Sequence, residues 1–147
     1  MVAGVLNYTQ IDATVACGGD TPRDAFPALA QQGFRTVVNL RLDGEPGVAE
    51  EAESADAAGL RYVHLPMTPS APEFEAAEQF LEVVADPSNQ PVYIHCASAN
   101  RVGGVWAIKR VVQDGWSREA ALAEGHAIGL KSPVIIDFVH RFLDARG

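Results

Sequence analysis

The residues most able to do chemistry lie close together, about two thirds of the way along the chain. Cys96 follows the apolar run "PVYIH", and Arg101 comes five positions later, at the end of "CASANR". A thiolate is a nucleophile, and an arginine presents a planar pair of N–H groups that can grip two oxygens of an anion. The spacing therefore predicts a site in which one cysteine faces, and can attack, a bound anion.

A strand, a tight turn and a helix are the elements predicted to position this pair. Residues 91–96 form an apolar run typical of a buried strand, and a helix is expected over residues 100–115. The turn residues 97–99 are small, so the backbone can curl and point successive N–H groups inward as an anion nest. Because the positive end of the helix faces the same spot, these surroundings favour the thiolate form of Cys96.

The rest of the chain alternates between strand and helix patterns. Strands are predicted over residues 13–19, 35–41, 61–67 and 91–96. Helices are predicted over residues 21–33 with Thr21 as N-cap, 48–59, 73–85, 100–115, 118–129 and 134–146. This alternation predicts an α/β fold with a mainly parallel sheet flanked by helices, whose ligands bind at the carboxyl ends of the strands. Cys96 stands at such an end.

Length, charge and cysteine content limit the classes of protein. The 147 residues suit a single domain over 1–147. A net charge of −8 without a basic run argues against nucleic acid or membrane as a partner. No apolar run approaches a membrane span, and the start lacks signal-peptide features, so a cytoplasmic protein is expected. Two cysteines without metal-type spacing argue against a disulfide framework and against a metal site. No cofactor is expected, and the oligomeric state is not predicted.

Several segments together resemble a known family: "CGGDTP", "GFRTVVNLR", "DGEPG", "GLRYVHLPM" and "HCASANRVGGVWA". From Tyr8 to Phe142 the chain is similar to the phosphatase-like (phosphatase or sulfurtransferase) domain of bacterial beta-lactamase-hydrolase-like proteins. The resemblance implies a fold like that of protein-tyrosine and dual-specificity phosphatases. It also implies that Cys96 is the nucleophile and Arg101 the oxyanion-binding arginine. The implied phosphate-binding residues are Ala97, Ser98, Ala99, Asn100 and Arg101.

The sequence departs from protein-tyrosine-type phosphatases in three ways. Four residues, rather than five, separate the cysteine from the arginine, which is the spacing usual in rhodanese sulfurtransferases. Val102 follows the arginine, where those phosphatases usually carry a hydroxyl residue. No aspartate follows "YVHLPM", where dual-specificity phosphatases place the general acid. Candidate acids are therefore Glu73, with Glu75 nearby, and Asp43, with Glu45 nearby.

Three neighbouring residues have more than one interpretation. His95 should point away from its neighbour on the strand and hydrogen-bond the loop backbone in support of the thiolate, or else be a satisfied core histidine. Arg41 ends a buried strand at the same edge and is expected to pair with Asp43 or Glu45, with a second anion-binding role as the alternative. Cys17 is expected to be a plain buried thiol, with a reversible disulfide to Cys96 as the alternative.

Three functions remain open, in descending order of support. The first is a cysteine-dependent hydrolase that forms a phosphocysteine, with a phosphorylated small molecule or a phosphoprotein as its partner. The second is a rhodanese-like sulfurtransferase that takes a persulfide onto Cys96 from a sulfane-sulfur donor. The third is a domain without turnover that binds an anion or senses oxidants.

Overall fold

The sheet of the computed structural model, which describes residues 2–146, has five strands. They are β1 (Thr9–Asp12), β2 (Val15–Gly18), β3 (Thr36–Asn39), β4 (Arg61–His64) and β5 (Val92–His95). Their order is β1-β2-β5-β3-β4, and every neighbouring pair is parallel except β1 with β2. The predicted α/β fold with a mainly parallel sheet is confirmed. The edge strand β1 was not predicted, because its short sequence "TQID" carries only a weak alternation of half-buried and exposed residues.

All six predicted helices are present within the described residues. They are α1 (Ala25–Gln31), α2 (Val48–Ala57), α3 (Phe74–Ala85), α4 (Asn100–Val112), α5 (Arg118–Ile128) and α6 (Pro133–Ala145). α1 begins later than expected, because the hydroxyl of Thr21 lies 2.6 Å from that of Tyr93 and does not cap the helix. None of these helices is long and apolar enough to cross a membrane.

The two faces of the sheet carry different helical layers. α1 and α2 cover one face, and α3 to α6 cover the other. Along β5 the side chains alternate, so that Tyr93 packs in the first layer and Ile94 in the second. His95 continues toward the first layer and Cys96 toward the second, as predicted. Two residues that are adjacent in the sequence therefore lie in separate environments.

Two glycines bring α4 into close contact with α5 and α6. A β-carbon on Gly103 would lie 2.7 Å from the carbonyl oxygen of Gly125, and one on Gly104 would lie 2.5 Å from Ile135. Real β-carbons do not approach other atoms so closely, so a side chain at either position would push the helices apart. This packing therefore fixes the position of α4, which begins directly after the Cys96 loop.

Candidate active site

Residues from other segments hold the loop between β5 and α4 by donating hydrogen bonds to its carbonyl oxygens. The N–H of Asp20 donates to the carbonyl oxygen of Ala97 at 2.7 Å, and Nδ2 of Asn7 donates to that of Ser98 at 3.1 Å. The N–H groups of residues 97–99 donate to no acceptor within residues 2–146. They are therefore available to a ligand, as expected for an anion nest.

The turn into α4 combines a strained residue with a side-chain brace. Ala99 has φ of +72°, a left-handed conformation that costs an alanine on the order of 1–2 kcal/mol. Oδ1 of Asn100 accepts the N–H groups of Lys131 at 2.6 Å and Ser132 at 2.8 Å, while its Nδ2 donates to the Ser98 hydroxyl at 3.0 Å. The connection between α5 and α6 thus stabilises the loop conformation. Strain of this kind concentrates at functional sites.

Cys96 lies at the floor of the loop, fully buried. Its N–H donates to the carbonyl oxygen of Gly18 at 3.3 Å, which continues the pairing of β5 with β2. Burial opposes the charge of Arg101, but its hydrogen bond to Glu45 and the adjacent Cys96 outweigh burial and raise the pKa of the guanidinium. A fixed positive charge therefore lies beside the sulfur.

One edge of the Arg101 guanidinium donates hydrogen bonds to protein oxygens. Nη1 and Nη2 donate to the two carboxylate oxygens of Glu45 at 2.8 and 2.7 Å. Nη1 also donates to the carbonyl oxygens of Met67 at 3.1 Å and Leu40 at 3.5 Å. Nε donates to no protein oxygen in the described part of the chain. The edge formed by Nε and Nη2, which can bind two oxygens of an anion, therefore has no protein oxygen at Nε among the described residues, and the guanidinium is hydrogen-bonded to the side chain of Cys96.

The hydrogen bonds from Arg101 also fix the ionisation of Glu45. They lower the pKa of this carboxyl group, against the raising effect of its partial burial, and the N–H of Leu42 lowers it further. Glu45 therefore remains ionised at neutral pH and holds the arginine. A carboxylate in this state is a poor proton donor.

The structure does not bring the two predicted general acids to the loop. The side chain of Asp43 is 91% exposed, and its Oδ1 lies 3.5 Å from Nδ1 of His64. Glu73 immediately precedes α3, is exposed, and lines a separate small cavity beside Thr68. Neither carboxylate forms a hydrogen bond or ion pair with Cys96, or with any residue from 97 to 101, in the described chain.

His95 does not form the hydrogen bond to the loop backbone that was expected of it. Its Nε2 lies 2.6 Å from Oε2 of Glu51 on α2, and both side chains are buried. Its Nδ1 has no partner among the described residues. Strand alternation turns the ring toward the α1–α2 layer, on the opposite face of the sheet from the Cys96 side chain.

Arg41 is a second buried arginine at the same edge of the sheet. Nε donates to Oδ1 of Asn39 at 3.3 Å, Nη1 to the carbonyl oxygen of Pro46 at 2.7 Å, and Nη2 to Oε1 of Glu51 at 2.9 Å. Asp20 lies 3.7 Å from Nη1. The partner expected in the following loop is therefore replaced by Glu51 of α2.

Glu51 was missed because it stands in an acidic stretch, "VAEEAES", where no residue type distinguishes it. Its position on the helix was the available signal. Val48, Glu51 and Ala55 are the buried residues of α2, and their spacing places them on one face. A carboxylate on the apolar face of a helix predicts a buried cationic partner.

Cys17 is a free, buried thiol, as the first interpretation expected. Burial raises its pKa, and the nearby Cys96 raises it further. The thiol of Cys17 therefore remains protonated at neutral pH and is no competing nucleophile. Within residues 2–146, no group of His, Cys, Asp and Glu side chains is arranged as a metal site.

A cavity of about 380 Å³ adjoins the Cys96 loop. Its walls come from the N-terminal segment, the β2–α1 connection and the β3–α2 connection; they include Gly4, Asp20, Pro22, Arg41, Glu45 and Ala97. A larger groove of about 570 Å³ lies between α1 and α2, but neither Cys96 nor a residue from 97 to 101 lines it. Of the two, only the smaller cavity is lined by a residue of the loop that follows Cys96, namely Ala97.

Known proteins with related sequences match this chain over part of their own, longer length. A family model described as "DSP-PTPase phosphatase fused to NAD+ Kinase" matches residues 5–133. The beta-lactamase hydrolase-like protein of Xylella fastidiosa is 30% identical over 128 residues, which are 84% of this chain and 30% of the relative. That of Agrobacterium fabrum is 37% identical over 102 residues, 65% of this chain and 23% of the relative. The chain thus spans less than a third of either relative.

Solved structures show the same fold. A DUF442 protein from Shewanella putrefaciens superimposes with a TM-score of 0.82 at 19% identity, covering 98% of this chain and 95% of that one. The core catalytic domain of a PP-IP phosphatase from S. cerevisiae gives 0.81 at 18% identity, covering 99% and 91%. The protein-tyrosine-phosphatase-like fold and the predicted resemblance are confirmed, and the match over residues 5–133 shows that the chain belongs to the family of DSP-PTPase phosphatases found fused to NAD+ kinase.

Proposed function

We propose that the protein is a cysteine-dependent phosphomonoesterase that forms a phosphocysteine on Cys96. The observation that carries the proposal is the Nε edge of Arg101, which lies beside the sulfur and meets no protein oxygen at Nε in the described chain, while Glu45 holds the Nη1–Nη2 edge. The unengaged N–H groups of residues 97–99 add donors on the same side. A dianionic phosphate is the ligand that this set of donors fits best.

The proposed reaction has two steps. The Cys96 thiolate attacks phosphorus, the Sγ–P bond forms, and the bond from phosphorus to the leaving oxygen breaks. Arg101 and the loop N–H groups stabilise the charge on the equatorial oxygens. Water then attacks the phosphocysteine, which releases inorganic phosphate and restores the thiolate.

Hydrolysis of aryl phosphates by the purified protein tests this proposal. The wild type should release phosphate from para-nitrophenyl phosphate, vanadate should inhibit it, and Cys96→Ser should abolish turnover. Cys17→Ala is the matched control, because it removes the other thiol and leaves the loop intact. A wild type that neither hydrolyses aryl phosphates nor binds vanadate would contradict the proposal, as would activity that survives in Cys96→Ser.

Sulfur transfer is the second candidate, because four residues between cysteine and arginine are typical of rhodaneses. In that reaction Cys96 would attack the outer sulfur of thiosulfate, release sulfite and retain a persulfide. Mass spectrometry after incubation with thiosulfate should then find one added sulfur on the peptide that contains Cys96. If Cys96 stays unmodified while aryl phosphates are hydrolysed, the sulfurtransferase function is excluded.

A further inference from the structure

We propose that Asp20 is the general acid of the reaction and that the 380 Å³ cavity beside the loop takes an uncharged leaving group. This inference rests on the proposed phosphatase function. The sequence singled out Asp43 and Glu73 for this role, but the structure places neither against the loop. The proton donor should instead be sought among the carboxylates that line the cavity.

The backbone of Asp20 is fastened to the Cys96 loop. Its N–H donates to the carbonyl oxygen of Ala97 at 2.7 Å, and its own carbonyl oxygen accepts the N–H of Leu6 at 3.1 Å. A β-carbon on the preceding Gly19 would lie 2.5 Å from the carbonyl oxygen of Ala97. Glycine therefore lets the β2–α1 connection touch the loop, and the next residue, Asp20, lines the cavity beside it.

Asp20 and Glu45 are the carboxylates among the residues that line this cavity. Glu45 holds Arg101 with both oxygens and stays ionised, so it cannot supply a proton. The side chain of Asp20 is 66% exposed, and its ion-pair contact with Arg41 is long, 3.7 Å. It is free to turn toward a leaving oxygen above the loop.

The charges around the cavity also favour one kind of leaving group. Two acidic residues line it, and each side-chain nitrogen of Arg41, the basic residue in its wall, already donates to a protein acceptor. A second phosphate group would be repelled there, whereas an aryl or alkyl group would pack against Gly4 and Pro22. The cavity therefore fits simple phosphomonoesters better than polyphosphates.

In the proposed step the protonated carboxyl of Asp20 gives its proton to the leaving oxygen as the P–O bond breaks. The electron pair of that bond goes to the oxygen, which departs as a neutral alcohol or phenol. In the second step the Asp20 carboxylate accepts a proton from the attacking water, and the proton balance of the enzyme is restored.

Leaving-group dependence in an Asp20→Asn variant tests the inference. General acids contribute about 10²–10⁴-fold when the leaving oxygen is basic, and little when the leaving anion is already stable. Asp20→Asn should therefore lose a factor in this range on phenyl phosphate while retaining most activity on para-nitrophenyl phosphate. Asp24→Asn is the matched control, because Asp24 is an exposed aspartate of the same connection that makes no side-chain cap.

Three outcomes would overturn the inference. Asp20→Asn could leave phenyl phosphate hydrolysis unchanged, or lower activity equally on both substrates, which would indicate damage to the loop. The selective loss could also occur in Asp43→Asn or Glu73→Gln instead. A wild type inactive on both substrates would overturn the phosphatase function as well, so the two failures are distinguishable.

Discussion

Arg41 and Arg101 are two buried arginines at the carboxyl edge of the sheet. They are alike in burial and in having a glutamate partner, but they differ in how many of their nitrogens donate hydrogen bonds to protein oxygens. Their side chains are 6% and 5% exposed, and each pairs with a glutamate. Every side-chain nitrogen of Arg41 donates to the protein, whereas Nε of Arg101 has no protein oxygen among residues 2–146 and the guanidinium adjoins Cys96. An incompletely satisfied arginine beside a nucleophile indicates a ligand site, and a satisfied one indicates structure.

The largest expected effect is on catalysis at Arg101. Arg101→Lys should lower kcat/KM for aryl phosphates by about 10²–10³-fold, because lysine cannot present two N–H groups in one plane to the phosphate. Steady-state kinetics with para-nitrophenyl phosphate measure this loss, and thermal unfolding checks that the variant is folded. A variant within threefold of the wild type would remove the distinction between the two arginines.

The matching substitution Arg41→Lys should act on stability instead. It breaks hydrogen bonds to Asn39, Pro46 and the buried Glu51, which should lower the free energy of unfolding by about 1–3 kcal/mol. Urea denaturation measures the loss, and kcat per folded molecule should stay close to that of the wild type. If Arg41→Lys reduces kcat as strongly as Arg101→Lys, then Arg41 also takes part in binding the anion.

Glu45→Gln tests the contribution of the carboxylate that holds Arg101. Replacing a charged acceptor by a neutral one weakens the grip on Arg101 by roughly 1.4 kcal/mol, which corresponds to about a tenfold lower kcat/KM. The effect should appear in the kinetics of phosphate release. An increase in activity would mean that Glu45 occupies the anion site and competes with the substrate.

The smallest effect concerns pH. Since the folded protein lowers the pKa of Glu45, this group contributes stability above its unfolded pKa of about 4.3, and the contribution is lost as pH falls through the folded value. The difference in unfolding free energy between the wild type and Glu45→Gln should therefore shrink as the solution is acidified below about pH 4. Urea denaturation at several pH values measures it, and a constant difference would show that the ion pair adds nothing.

Sequence reasoning succeeded where the signal was local. Cys96, the small turn, Arg101 and the start of α4 lie within a few residues of one another, so spacing alone predicted their assembly. Asp20 and Glu45 reach the Cys96 loop and Arg101 from two other segments, Glu51 reaches Arg41 and His95 from a third, and these contacts depend on the strand order β2-β5-β3. Residue types and spacing do not show which acidic side chain will pair with which basic one, because these pairs form only in the folded protein.

The most direct test of the account is to trap the covalent intermediate. Wild-type protein is mixed with para-nitrophenyl phosphate, quenched in acid, digested and analysed by mass spectrometry. We expect one phosphoryl group on the peptide that contains Cys96 and none on the peptide that contains Cys17. Steady turnover without phosphorylated Cys96, or phosphorylation of another residue in its place, would contradict the account.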